Sequence, residues 1–209
     1  GVGNASLNAN TTGNQNTAMG HASLDANTTG HYNTGLGVGA LGGNTTANSN
    51  TAVGRNSLNV NTGADNTAVG YNALDANTTA SYAQTGEGYC PAIGYEALTA
   101  SNASYNTAVG YRSLDSVSSG ENNTAAGLSS GDAITTGANN TVIGKGAAST
   151  LTTGGANTCI GKDADVSATG ASKQITIGVG VSNTANTRVV IGDDEGLVYN
   201  DYTSNATWT

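Results

Sequence analysis

Few side chains in this sequence could support catalysis, and their spacing does not combine them into a site. The two histidines, His21 and His31, lie ten residues apart, and neither has the recurring acid and nucleophile that a catalytic triad requires. Cys90 and Cys159 are widely separated, and we expect both thiols to be unpaired. The acidic run 193–195 could bind a cation, but we favour a turn between two strands, 188–192 and 197–199.

The carboxylates do not suggest a pair that could cleave a polysaccharide. Asp25, Asp75 and Asp115 recur in one turn-side position of a repeat, whereas a glycosidase needs two carboxylates that face one substrate. The short Gly178-Val-Gly180 stretch does not make a phosphate loop, and the motif G-x-x-x-x-G-K-[ST] does not occur. The sequence therefore predicts a protein that is not an enzyme and has no cofactor or metal site.

Composition and charge exclude several other classes. Gly, Thr and Asn supply about 43% of the 209 residues, Phe is absent, and only 10% of residues are charged, so a conventional core of large side chains cannot form. The net charge is −8 and the six cations are scattered, which argues against nucleic acid as a partner. Without a run of about 18 apolar residues, membrane insertion is not expected either.

The sequence is organised by a repeat whose unit reads N-T-A-V-G-Y-N-A-L-D-A-N-T-T at residues 66–79. Most units are 16 or 17 residues long, but the fifth step spans 24 because of an insertion at 80–89. We assign residues 1–192 to the repeat and residues 193–209 to a separate carboxy-terminal segment. One glycine anchors each unit: Gly3, Gly20, Gly37, Gly54, Gly70, Gly94, Gly110, Gly127, Gly144, Gly161, Gly178 and Gly192.

A unit of this length and composition predicts an all-β fold, a parallel β-solenoid or β-roll of about twelve short coils. It is too short for a helical repeat, and Asn, Gly and Thr disfavour helix interiors. We expect two short strands and two turns in each coil, and a core so thin that the chain assembles as a homotrimer. The predicted core ladder consists of Val53, Val69, Ile93, Val109, Ile143 and Ile160 with Leu58, Leu74, Leu98 and Leu114.

The position after the anchor glycine is the candidate surface contact. Stacked coils would set Tyr71, Tyr95 and Tyr111 in a column, with Arg55 below and Lys145 further up. Such a column, together with Tyr82 and Tyr89 of the insertion, could pack against the sugar rings of a polysaccharide. The alternative, which we favour, is a structural ladder or an intersubunit seam, because Tyr covers area at low entropic cost.

These units resemble known fibrous proteins. The segment Asn66-Thr67-Ala68-Val69-Gly70 resembles the head repeats of trimeric autotransporter adhesins, and the longer Asn-Thr-Ala-Val-Gly-Tyr-x-Ala-Leu arrays resemble phage tail fibres more closely. The segment 189–209 is similar to the stretch that precedes an endosialidase-type intramolecular chaperone. In that family the chaperone trimerises the fibre and cleaves itself off at a Ser-Asp bond, but neither that bond nor the chaperone is present in this sequence.

The resemblance implies a homotrimeric virion tail fibre that contacts other tail proteins and a polysaccharide or protein receptor on the host surface. A trimeric adhesin head on a bacterial cell surface is the main alternative. A third hypothesis is an ice-binding solenoid, because Thr-Thr pairs recur at 11–12, 28–29, 45–46, 78–79, 135–136 and 152–153.

Overall fold

The chain folds into a β-solenoid with short strands. The computed structural model describes residues 1–77, 90–99, 101–193 and 196–201, and these residues contain no helix. The strands are β1 (Thr17–Met19), β2 (Thr34–Leu36), β3 (Thr51–Val53), β4 (Val60–Asn61), β5 (Thr67–Val69), β6 (Ala76–Asn77), β7 (Pro91–Ile93), β8 (Thr107–Val109), β9 (Thr124–Ala126), β10 (Thr141–Ile143), β11 (Thr158–Ile160), β12 (Ile175–Gly178), β13 (Arg188–Gly192) and β14 (Leu197–Asp201).

One long sheet runs along the solenoid and receives one strand from each coil. Its order is β1-β2-β3-β5-β7-β8-β9-β10-β11-β12-β13-β14, and all of its neighbours pair in parallel except β13 and β14. The register is that of the repeat, so Thr51 pairs with Thr67 and Val53 with Val69. The parallel strands define about 10 turns, slightly fewer than the twelve expected.

The other side of each coil is mostly not a strand, contrary to the expectation of two strands per coil. Only β4 and β6 form a second, two-stranded parallel sheet among the described residues. In the coil after Gly20, Ala22 has φ 54° and Leu24 has φ 52°, and equivalent leucines repeat this conformation along the chain. Because every second residue is left-handed there, the backbone curves rather than extends, and it still donates hydrogen bonds to adjacent coils.

The core contains the leucines but not the aliphatic residues that precede the anchor glycines. Leu58, Leu74, Leu98 and Leu114 are fully buried, as the sequence predicts. The middle residue of each strand, usually an alanine such as Ala68 or Ala92, fills the remaining interior.

The aliphatic half of the predicted core ladder is wrong. These side chains point outward because neighbouring residues of a strand face opposite sides of a sheet, and the small residue takes the inward position of the narrow coil. The misplaced residues are Val53, Val69, Ile93, Val109, Ile143 and Ile160, all of them partly or largely exposed.

A ladder of buried amides, which the sequence analysis did not predict, connects one coil to the next. Asn140 illustrates it: its backbone N–H and its Nδ2 both donate to Oδ1 of Asn123 at 3.0 Å, and Nδ2 also donates to the carbonyl of Gly154 at 3.1 Å. We call this the first asparagine ladder. Its members precede the anchor glycine by four residues: Asn16, Asn33, Asn50, Asn66, Asn106, Asn123, Asn140 and Asn157, followed by Gln174.

A second asparagine ladder lies in the amino-terminal half. Nδ2 of each member donates to Oδ1 of the preceding one at 2.8 to 3.3 Å, and the members are Asn10, Asn27, Asn44, Asn61 and Asn77. In the later coils the same position holds Ser101 and then the buried aliphatic residues Val117, Ile134 and Leu151. At this position of the coil, the buried side chains therefore change from amides to aliphatic groups along the solenoid.

The anchor glycines allow the coils to approach closely. Gly70 has φ +140°, and a Cβ on it would overlap the carbonyl oxygen of Gly94 in the next coil. Only glycine tolerates both the conformation and the contact. The repeated glycine is thus a requirement of the stacking itself.

We expect Asn140→Ala to destabilise the fold by about 2–4 kcal/mol, because it leaves the N–H and Nδ2 of Asn157 and the carbonyl of Gly154 short of partners in a buried site. Chemical denaturation measures the change. Thr136→Ala, at an exposed position of the same coil, is the control and should change the unfolding free energy by less than about 0.5 kcal/mol. Equal changes in the free energy of unfolding for the two substitutions would show that the amide ladder does not stabilise the fold.

Candidate functional site

The outer face of the long sheet carries a continuous column of aliphatic side chains. It is formed by the residue before each anchor glycine, and we call it the aliphatic column. Met19 is 55% exposed, Ile93 43%, and Val109, Ile143 and Ile191 are 40–41% exposed. The half-buried members between them are Leu36, Val53, Val69, Ala126, Ile160 and Ile177. Every described coil thus presents one apolar side chain to the outside at the same place.

The predicted tyrosine column exists, beside the aliphatic column. The rings of Tyr71 and Tyr95 have centroids 5.1 Å apart and lie 12° from parallel, and those of Tyr95 and Tyr111 are 5.1 Å apart and 8° from parallel. The guanidinium carbon of Arg55 lies 5.8 Å from the centroid of Tyr71. We call Tyr71, Tyr95 and Tyr111 the tyrosine stack. Lys145 lies further along the column, beyond Leu128, rather than on the stack.

Charged side chains flank the tyrosine stack. Arg112 binds Asp115, with Nε 2.6 Å from Oδ2, and lies 3.9 Å from Oε2 of Glu96. A hydrogen bond to Glu96 and the charge of that carboxylate raise the pKa of Tyr95, because both favour the protonated phenol. The edge of the stack is therefore a small network of hydroxyls, two carboxylates and one guanidinium.

The stacked geometry limits what this column can bind. Both faces of Tyr95 are covered by its neighbours, and one face of Tyr71 is covered by Arg55. Packing against a sugar ring requires an open aromatic face, whereas the stack offers mainly ring edges and hydroxyls to solvent. The arrangement favours the structural interpretation of the column.

Tyr82, Tyr89 and the insertion at 80–89 lie outside the described residues.

The remaining reactive side chains have structural positions. Both thiols are free and buried; burial raises the pKa of Cys90, and burial together with Asp165 raises the pKa of Cys159 to about 12, so neither is a thiolate at neutral pH. Nδ1 of His31 accepts a hydrogen bond from the backbone N–H of Asn14 at 3.0 Å. Among the described residues no cluster of three or more potential metal ligands occurs, and no helix is long and apolar enough to cross a membrane.

The recurring carboxylates Asp75, Asp115 and Asp132 occupy the same position of their coils. Burial and the charge of Asp115 raise the pKa of Asp132, and burial raises the pKa of Asp75. Asp193 closes the turn between β13 and β14, as its Oδ1 accepts a hydrogen bond from the N–H of Gly196 at 2.9 Å. The strands predicted on either side of the acidic run are present as β13 and β14, whereas Asp194 and Glu195 lie outside the described residues.

Comparison with protein-family models, with curated proteins and with solved structures finds no match to this chain. The function must therefore be inferred from the geometry of the outer face. Two surfaces on it are continuous from coil to coil, namely the aliphatic column and the shorter tyrosine stack.

We expect Glu96→Gln to lower the pKa of Tyr95 towards that of free tyrosine, because the substitution removes the negative charge that disfavours the phenolate. A pH titration that follows the Cζ resonance of Tyr95 by NMR measures this. Glu121→Gln, in a coil beyond the stack, should leave the titration unchanged. An unchanged pKa of Tyr95 in the Glu96→Gln variant would show that the Glu96 carboxylate does not stabilise the protonated phenol.

Proposed function

We propose that this chain is a structural and adhesive fibre protein: a homotrimeric viral tail fibre that projects from the virion and contacts the host cell surface. The observation that carries the proposal is the aliphatic column on the outer face of the long sheet. A β-solenoid with in-register coils supplies a stiff rod, and an unbroken apolar strip along it supplies a surface for a second copy of the same rod.

The aliphatic column is continuous and long enough to form an interface between two subunits. Ten turns at about 4.8 Å each give a strip roughly 50 Å long. With the flanking threonines and tyrosines at a width of about 12 Å it offers on the order of 600 Å², close to one side of a small specific interface. Because the coils have equal spacing, two parallel copies can match coil to coil along the entire strip.

Three copies and a viral setting are supported by the resemblance to tail fibre and adhesin repeats at Asn66–Gly70 and the units like it. A trimer would present each surface feature three times. Weak contacts to a host polysaccharide or protein receptor then gain from effective concentration, which suits a long repetitive fibre. The same architecture also fits a bacterial adhesin head, so a signal peptide and membrane anchor in the full gene would favour that alternative.

The ice-binding hypothesis loses part of its support, because the first threonine of several Thr-Thr pairs donates its hydroxyl to the next coil. Oγ1 of Thr28 donates to the carbonyl of Thr45 at 3.0 Å, and Oγ1 of Thr135 donates to the carbonyl of Thr152 at 3.2 Å. Hydroxyls that bond from coil to coil are not available to organise an ice lattice. The second threonine of a pair, such as Thr29 or Thr136, is exposed, so thermal hysteresis of the purified chain is the measurement that tests ice binding.

We expect the purified chain to have three times its monomer mass of 20.5 kDa in analytical ultracentrifugation. Ile93→Asp should give a monomer, because a charge would be buried in the middle of the aliphatic column. Val60→Asp is the matched control: Val60 is 44% exposed in the separate sheet of β4 and β6, so its substitution should leave the mass unchanged. A folded wild-type monomer would contradict the fibre assembly.

The adhesive part of the proposal predicts binding of the assembled chain to bacterial cells. A fluorescent wild-type trimer should bind at least one of a panel of Gram-negative strains, and purified lipopolysaccharide of that strain should compete. The monomeric Ile93→Asp chain should bind at least about a hundredfold more weakly, because it loses multivalency. Absence of binding across the panel, or equal binding by trimer and monomer, contradicts adhesion without contradicting the assembly.

A further inference from the structure

We propose that the coil containing Cys90 and Pro91 is a joint that divides the solenoid into two cooperative units, residues 1–77 and 101–192, and that the tyrosine stack is the clamp across it. This inference is independent of the proposed function, since it concerns how one chain holds its own coils together. Three separate features converge on this coil.

The first feature is a break in the first asparagine ladder. Cys90, only 3% exposed, occupies the position that asparagine holds in the coils on either side, Asn66 and Asn106. Its thiol donates to the carbonyl of Ala103 at 3.4 Å, and its sulfur accepts the backbone N–H groups of Tyr105 and Asn106. Cys90 nevertheless has no amide oxygen for Nδ2 of Asn106 and no Nδ2 to donate to Asn66. The carboxamide of Asn66 is fully buried, and both its Oδ1 and its Nδ2 lack a hydrogen-bond partner.

The second feature is the only proline of the chain, at the position where most coils have threonine. In most other coils this residue donates its N–H to the next coil, as Thr107 does to the carbonyl of Asn123 at 2.8 Å. Pro91 has no N–H to donate. The pairing of β7 with β8 accordingly has two residue pairs, Ala92 with Ala108 and Ile93 with Val109, where the neighbouring pairings have three.

The third feature is the change of interior on either side of the same coil. The second asparagine ladder ends at Asn77, and its position holds Ser101 and then Val117 in the coils that follow. The amide ladder of one half and the aliphatic row of the other cannot continue into each other. The first ladder is thus interrupted, and the second ladder ends, at the same coil, where the repeat step is also longest.

The contacts that continue without interruption across the coil of Cys90 and Pro91 are apolar. Ala68, Ala92 and Ala108 are buried in sequence along the core, as are Leu74, Leu98 and Leu114. On the outside, the tyrosine stack covers these coils and no others: Tyr71 belongs to the coil before the break, Tyr95 to the broken coil and Tyr111 to the one after. The stack therefore bridges both of the interfaces that have lost polar bonds.

A solenoid behaves approximately as a one-dimensional chain in which each coil is stabilised by its interfaces with its neighbours. One weak interface in such a chain divides the cooperative unit. The residues on each side of the joint are then expected to open as separate blocks, with the coil of Cys90 and Pro91 opening most readily.

The test uses native-state hydrogen exchange with mass spectrometry on the full chain, comparing wild type with the double variant Cys90→Asn/Pro91→Thr, which restores the residues of the neighbouring coils. In wild type, segments 1–77 and 101–192 should exchange in two separate opening events. In the double variant we expect the exchange of residues 91–99 to slow by about tenfold or more, and the two events to merge. A single opening event in wild type, or unchanged exchange in the double variant, overturns the proposal.

Two further variants test whether the change in exchange is specific to the coil of Cys90 and Pro91 and depends on the tyrosine stack. Cys159→Ala removes the other buried thiol at a position where most coils have alanine, so it should not change the exchange of residues 91–99. Tyr95→Leu interrupts the stack and should accelerate that exchange several-fold more in wild type than in the double variant, where the polar bonds are restored. Equal acceleration in both backgrounds shows that the tyrosines do not compensate for the break and overturns their assignment as a clamp.

Discussion

Hydrogen bonding between successive coils is the interaction on which the rest of this structure depends. Strand, turn and side-chain amide all find their partners about one repeat away, as Thr141 does with Asn157 and Asn140 with Asn123. A core of two or three small or medium apolar side chains per coil, such as Leu74 and Ala68, is too small to order 17 residues by burial alone. The in-register repeat is what makes the polar bonds possible, and the anchor glycines bring the coils close enough to form them.

Much of the fold can be predicted from the sequence, because a repeat of fixed length with glycine at one position restricts the chain to a stack of coils. The solenoid, the leucine column and the tyrosine column follow from spacing. The orientation of the strand does not: Thr-Ala-Val alternates, and hydrophobicity favours valine inside, whereas the middle residue of the strand, alanine in most coils, takes the inward position. This is why Val69 and Ile93 were expected in the core and lie on the outer face.

The asparagine ladders show a different limit of sequence reasoning. Asparagine is common in turns, so its recurrence four residues before each anchor glycine resembles turn chemistry. The signal that separates the two roles is the regularity of the position, including the replacement of the last member by Gln174, which keeps the amide. Buried amides that bond their own copies also specify register, since a slip of one residue would leave several of them without partners.

The antiparallel pairing of β14 with β13 has a consequence for the edge of the long sheet. A parallel solenoid leaves main-chain donors and acceptors unpaired on its terminal strand, and such an edge can template the addition of further chains end to end. Here β14 occupies the free edge of β13 and reverses the chain direction. A coil of the repeating kind cannot be added in register to a strand that runs the opposite way. The hairpin thus covers the edge of β13 with a strand of opposite direction, and the in-register parallel stacking does not continue past β13.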